Sequence, residues 1–312
     1  MQKELDLVVY GSLNMDYVGY VEKLPKPGET LASNEFIVSP GGKAANQAVA
    51  SAKLGAKTAM IGRVGNDQIG LSMKEELSKA HVDNECVTIT EDVQTGIAMV
   101  WVNEAGGNSI VTYKGANENL TKDDIDKSVE KVTRSQGAIL QLEMPKDVAQ
   151  YTIETVSKQG KKVILNLAPI VDIENHYMKM IDLLIVNEPE AEFLAGNKVD
   201  SIESAKEAIH IISELGIEHI IITLGEQGAV FKSGNVIKHH AAPKVEAIDT
   251  TGAGDCFVGA VSYFWLRRNN LDEAVKHAIQ VAALAVTKKG AINSLPTIKD
   301  YENFQKQINI DI

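Results

Sequence analysis

Short, nearly continuous apolar runs rich in β-branched residues recur along the chain, with longer helical patterns between them. Leu5 to Tyr10, Ala59 to Val64, Gly137 to Leu142, Lys162 to Leu167, Leu183 to Asn187 and Ile217 to Leu224 have the pattern of strands covered on both faces. Helices are predicted over Lys43 to Leu54, Ile69 to Ala80, Lys146 to Lys158, Ser201 to Leu215, Gly254 to Arg268 and Leu271 to Lys288. Strand and helix in alternation imply an α/β fold, with a mostly parallel central sheet and helices on both faces. Ligands of such folds bind beyond the carboxyl ends of the strands.

Two segments break the alternation, Tyr17 to Val38 and Thr95 to Tyr113. Their short alternating patterns, punctuated by Pro, Gly and Asn, predict antiparallel strands and hairpins. A small β-sheet lid, built from two insertions at about 15–39 and 94–115, is expected over the site; edge strands of the main sheet are the other arrangement open. No repeat, low-complexity tract or Pro-rich linker intervenes, so residues 1–312 read as a single α/β domain carrying that lid.

Charge narrows the partners. With 31 Lys and Arg against 42 Asp and Glu, the net charge of −11 repels phosphate backbones and argues against nucleic acid. No run approaches the roughly 18 apolar residues that span a membrane, and Met1 to Asp6 lacks the apolar core of a signal peptide, so a cytoplasmic protein is expected. Cys86 and Cys256 stand far apart without metal-site spacing, and read as ordinary partly buried thiols.

The most informative stretch is Asp249-Thr250-Thr251-Gly252-Ala253-Gly254-Asp255, which runs straight into an apolar helix. Small residues before a helix leave backbone N–H groups free to face anionic oxygens. Asp255, in the first turn, could take a proton from a substrate hydroxyl while those amides stabilise a transferring phosphoryl group; a plain helix cap is the alternative. Other phosphate loops fail on spacing. Gly42-Lys43 is followed by Ala44, and position 37 is Ile, which excludes a Walker A loop. Phe257 stands where a dinucleotide fingerprint needs Gly or Ala. A second cluster, Gly41 to Ala50, opens a small-residue helix in which Asn46 can bond hydroxyls. A third, Gly11 to Asp16, puts Asn14 and Asp16 at the carboxyl end of the first strand, where they suit a polyol.

Taken in order, these stretches resemble the ribokinase family of carbohydrate kinases, the phosphofructokinase-B type. The similarity also runs through Gly62 to Asp67, Gly115 to Asn117, Leu140 to Glu143, Asn187 to Glu190 and Thr223 to Gly228. It implies ATP-dependent phosphorylation of a pentose, ribose at its 5-hydroxyl before deoxyribose, fructose or a nucleoside. Asp255 would be the base and Gly252, Ala253 and Gly254 the anion hole. Asn14, Asp16, Gly42, Lys43, Asn46 and Glu143 match positions that grip the sugar. Asn187 and Glu190 match the element that organises Mg²⁺, through water, and Asn187, Thr223, Gly225, Gly228 and Gly254 match positions that hold ATP. Asp249, Thr251, Ala285, Lys288, Gly290 and Ser294 match a potassium site built mainly from carbonyls. Ile279 replaces a small polar residue common in relatives, which leaves adenine contacts there and at Gln280 open.

Other features read plainly. His239-His240 falls in a loop without metal spacing, Trp101 and Trp265 sit in apolar patterns as core residues, and Thr121 to Glu130 is a capped, solvated helix. An exposed lid face needs covering, so a homodimer through the lid is expected.

Overall fold

The computed structural model describes residues 4–103 and 107–308, so Met1 to Lys3 and positions 104–106 of the second lid segment lie outside the described residues. Its strands are β1 (Leu7–Tyr10), β2 (Asn14–Val21), β3 (Glu35–Gly41), β4 (Thr58–Gly65), β5 (Val87–Thr90), β6 (Gly96–Asn103), β7 (Asn108–Tyr113), β8 (Gly137–Leu140), β9 (Lys162–Asn166), β10 (Leu183–Val186), β11 (His219–Thr223), β12 (Ala229–Ser233) and β13 (Val236–His240). The helices are α1 (Lys43–Lys53), α2 (Gln68–Lys79), α3 (Lys122–Thr133), α4 (Lys146–Lys158), α5 (Asn175–Met178), α6 (Glu188–Ala195), α7 (Ile202–Ser213), α8 (Ala253–Arg268), α9 (Leu271–Ala285) and α10 (Ile298–Ile308).

Nine strands form one sheet in the order β13-β12-β11-β10-β9-β8-β1-β4-β5. From β11 to β5 the pairing is parallel, and at one edge β12 alone runs against the rest, antiparallel to both β11 and β13. The chain winds outward one way from β1 and the other way from β8, so the order reverses between these neighbours, the place where such sheets bind ligands.

Burial on both faces explains the unbroken apolar strands. Leu7, Val9, Ile139, Ile164, Ile185 and Ile221 point into a core shared with α1, α2, α8 and α9. Their neighbours Val8, Tyr10, Leu140, Leu165, Val186 and Ile222 point into a second core, shared with α3, α4 and α7. Period-two alternation thus feeds two cores instead of one core and solvent.

The lid is a separate four-stranded sheet, β3-β2-β6-β7. Its hairpin pairs are antiparallel, but the central pair β2 and β6 is parallel, with Asn14 opposite Gly96, which corrects the all-antiparallel expectation. Both strands start at the site edge and run outward, so they lie side by side in the same sense. Val18, Ala98 and Val100 form its small core. Asn14 and Asp16 belong to this sheet, on β2, not to the end of β1.

Some local expectations also change. His239 and His240 lie on β13, not in a loop, and His240 Nε2 is 2.6 Å from Asp272 Oδ1. Trp265 is core, but Trp101 is half-buried, its ring covering Gly19 on the lid. Cys256 is fully buried and Cys86 half-buried. The helix after Thr121 is capped by a reciprocal box with Asp124. Among the described residues no helix is long and apolar enough to cross a membrane.

Candidate active site

A cleft opens at the carboxyl ends of β9, β10 and β11, lined by Lys43, Asn166, Asn187, Glu190, Thr223, Gly252, Gly254 and Asp255 among others. Each of these residues sits where an element begins or ends, so a backbone already fixed by the sheet fixes the side chain.

Asp255 is buried in the first turn of α8, and both carboxylate oxygens accept bonds from α1: Asn46 Nδ2 donates to Oδ2 at 2.8 Å and Gln47 Nε2 to Oδ1 at 2.9 Å. No side chain caps α8. The N–H of Ala253 donates to Thr250 O at 3.1 Å, which withdraws it from the expected anion hole. The N–H groups of Gly252, Gly254 and Asp255 have no hydrogen-bond partner among the described residues, so the helix end stays open to an anion.

On the lid side, Asn117 Nδ2 donates to Asn14 Oδ1 at 2.7 Å, and Asn117 Oδ1 accepts from Leu13 N at 2.9 Å. Asn14 thereby loses its carbonyl to the protein and keeps its amide N–H groups for a ligand. Gly42 has φ +90°, and a Cβ there would lie 2.7 Å from Asn14 N, so only glycine lets α1 start this close to β2. Glu143 accepts from Ser12 Oγ, and from Lys43 N at 3.5 Å.

Charge is concentrated here. Burial first, then Glu143 and Asp255, push the Asp16 carboxyl up to about 7, against a pull from Lys43. Asp255 above all holds the Lys43 ammonium above its ordinary range despite burial. Burial also raises Glu190 to about 6, although the Asn187 backbone opposes it.

The remaining predicted residues divide between this cleft and its flank. Asn187 and Glu190 form the capping box of α6, with Asn187 N donating to Glu190 Oε2 at 2.9 Å and Glu190 N to Asn187 Oδ1 at 3.0 Å. Their acceptors are thus partly committed to the helix. Thr223 ends β11, and Gly225 and Gly228 bracket the tight turn into β12. A second cleft nearby is lined by His240 to Pro243, Lys276, Ile279 and Gln280. On the flank, at the start of the turn that leads into α8, Asp249 Oδ1 accepts from Thr251 N and Oδ2 from Gly290 N, both at 2.9 Å. Tyr20 OH, on the lid, reaches Asp249 Oδ2 at 3.4 Å. Burial opposes ionisation of Asp249, but bonds from Thr251, Gly290 and Tyr20 prevail and hold the carboxyl below its usual range. Lys53, at the far end of α1, donates to Ile292 O and Leu295 O, 3.0 Å each, beside Ser294.

A family model described as pfkB family carbohydrate kinase matches residues 4–298. The chain belongs to the pfkB family of carbohydrate kinases. Within that family it is similar to the ribokinase of Haemophilus influenzae, 38% identical over 96% of this chain and 97% of that one. It is also similar to the deoxyribokinase of Salmonella typhi, 35% identical over 96% and 98%. Among solved structures, Arabidopsis thaliana ribokinase complexed with ribose and ATP superposes at a TM-score of 0.88, with 32% identity over 97% of this chain and 99% of that one. The pfkB fold accounts for both sheets.

Sequence reasoning missed Gln47, Asn117 and Asn166 as functional residues. Gln47 carried a signal, a second amide in the otherwise Ala-rich face of α1. Asn117 carried one as well, its place in the Gly115 to Asn117 stretch of the family resemblance, whereas Asn166 carried none that separates it from an ordinary polar residue at a strand end.

Proposed function

We propose that this pfkB kinase transfers the γ-phosphoryl group of ATP to the 5-hydroxyl of ribose. The observation that carries the reading is the Asp255 carboxylate, oriented by two amides beside a helix end with free N–H groups. Asp255 takes the hydroxyl proton as the new O–P bond forms, and the amides of Gly252 and Gly254, with that of Asp255 in place of Ala253, receive the charge on the phosphoryl oxygens. Asn14, Asp16, Gly42, Lys43, Asn46 and Glu143 hold the sugar, and Lys43 adds positive charge where phosphate arrives.

ATP lies along Asn187, Thr223, Gly225 and Gly228, with its base in the cleft walled by Ile279. Mg²⁺ would neutralise the triphosphate, and the commitment of Asn187 Oδ1 to Glu190 N fits contact through water. No group of three or more His, Cys, Asp or Glu that could hold a metal occurs among the described residues. For potassium, Asp249 is an ionised carboxylate with no ion-pair partner among the described residues, close to Thr251 and Gly290. Ala285, Lys288, Gly290 and Ser294 supply the oxygens that suit a hard monovalent cation.

The test is ADP release with ribose, ATP and Mg²⁺, run beside 2-deoxyribose. Asp255→Asn should lower kcat by about 100-fold or more. Full turnover in that variant refutes the base. Deoxyribose is the second reading, favoured by the similarity to a deoxyribokinase; a higher kcat/KM for it than for ribose would select that reading.

A further inference from the structure

We infer that Gln47 is a positioning residue for the phosphoryl-transfer step, the link through which a buried amide chain aims Asp255. The inference rests on Asp255 acting as the base. Gln47 is completely buried and does not line the cleft. Its Nε2 donates to Asp255 Oδ1 at 2.9 Å and to Asn166 Oδ1 at 3.1 Å. Its Oε1 accepts from Gln141 Nε2, and Asn166 Nδ2 donates to Ile185 O at 3.2 Å.

The direction of this chain is forced. A carboxylate and a backbone carbonyl only accept, so the amide N–H groups of Gln47 and Asn166 must face them. The Gln47 carbonyl must then turn back toward Gln141. Three buried amides, Gln47, Asn166 and Gln141, are locked in one orientation by the two acceptor-only ends, Asp255 and Ile185 O.

Such an arrangement is costly unless it serves a purpose, because unpaired amide groups in a core destabilise it. Gln141 Oε1 is in fact left without a partner. Gly11, at φ +142°, gives up its side chain to make room for it, since a Cβ there would lie 2.3 Å from Gln141 Oε1. Packing alone would favour apolar residues at Gln47 and Gln141, both fully buried. What the chain achieves is a fixed carboxylate plane: Asn46 holds Oδ2, and the fully buried Gln47 holds Oδ1. A base of fixed orientation presents its lone pair to the incoming hydroxyl without searching.

The test is steady-state kinetics of Gln47→Met with ribose and MgATP, beside Asp255→Asn and the double variant, each checked by thermal unfolding. Gln47→Met should lose about 10- to 100-fold in kcat, the usual effect of removing an outer-shell partner. Both KM values should stay within about twofold, because the contacts to sugar and nucleotide persist. The double variant should be no slower than Asp255→Asn alone, since Gln47 acts only through that carboxylate. Parental kcat in Gln47→Met, or a double variant slowed by the product of the single effects, overturns the inference. If Gln47→Met does not fold, Gln141→Met unties the same chain one link further back. It should show a smaller kcat loss with unchanged KM values, and parental kcat there is equally fatal. The two readings separate cleanly. Turnover by Asp255→Asn removes the base itself, whereas an inactive Asp255→Asn beside a fully active Gln47→Met removes only the positioning role.

Discussion

Asp16 shows how a residue can suit its ligand and burden its own fold. Its carboxyl, pushed up to about 7, holds a proton in the sugar-free protein that an unfolded aspartate, at about 3.9, would release. The resulting stability is fully present below about pH 4 and is lost as pH rises through about 7. The melting temperature of the sugar-free protein should therefore fall between about pH 4 and pH 7 and level off above, and Asp16→Asn should flatten the fall and raise the value at the upper end by a few degrees. Sugar hydroxyls that donate to Asp16 favour its ionised form, so binding expels the proton. The KM for sugar should accordingly rise as pH drops below about 7. A pH-independent KM, with an unchanged melting slope in Asp16→Asn, would take Asp16 out of the pocket. At this scale the sequence was legible where chemistry needs a rare residue pattern, as in Gly252 to Asp255. It was opaque where a role depends on what lies across the cleft. Nothing in the chain places Asn117 against Asn14, or Asn166 against Gln47, until the sheet brings them together.

Among elements, the long apolar strands and amphipathic helices were readable because burial on two faces leaves a strong pattern. The boundaries of α4 coincide with the expected range. Strand β5 escaped because it has only four residues, two of them exposed, and β13 because Lys-His-His reads as loop when only one edge is covered. The parallel β2 and β6 pair could not be read either, since strand direction follows from where the chain leaves the main sheet. The loop after α9 yields a prediction of its own. Lys289 reaches across to the lid, pairing with Glu35 at 2.7 Å and lying 5.5 Å over the Tyr20 ring, so it leaves Asp249 uncompensated. Potassium should raise kcat over sodium, and Asp249→Asn should abolish the difference while the protein stays folded. Equal rates of the parent in the two salts would argue against a cation there.

For the whole molecule, the outer face of the lid predicts the oligomeric state. Its face opposite Asp16 carries Val38, Tyr17, Met99 and Val111 in one row across the four strands. Phe36 and Tyr113 extend the patch, with Phe36 57% and Val111 56% exposed. So much apolar surface on a thin sheet favours a partner, and a second copy of the same lid offers the matching face. A homodimer is expected in sedimentation at micromolar concentration, and Phe36→Asp with Val111→Lys should yield monomers. A monomeric parent would leave the lid without that role.

Helix α1 runs from Asn46 and Gln47, which hold Asp255, to Lys53, which grips the carbonyls of Ile292 and Leu295. From Asn46 to Lys53 the helix rises about 10 Å, one continuous length of hydrogen-bonded backbone between the base and that loop. If a cation orders the loop that Lys53 grips, α1 is the backbone path by which that order is expected to reach the Asp255 carboxylate.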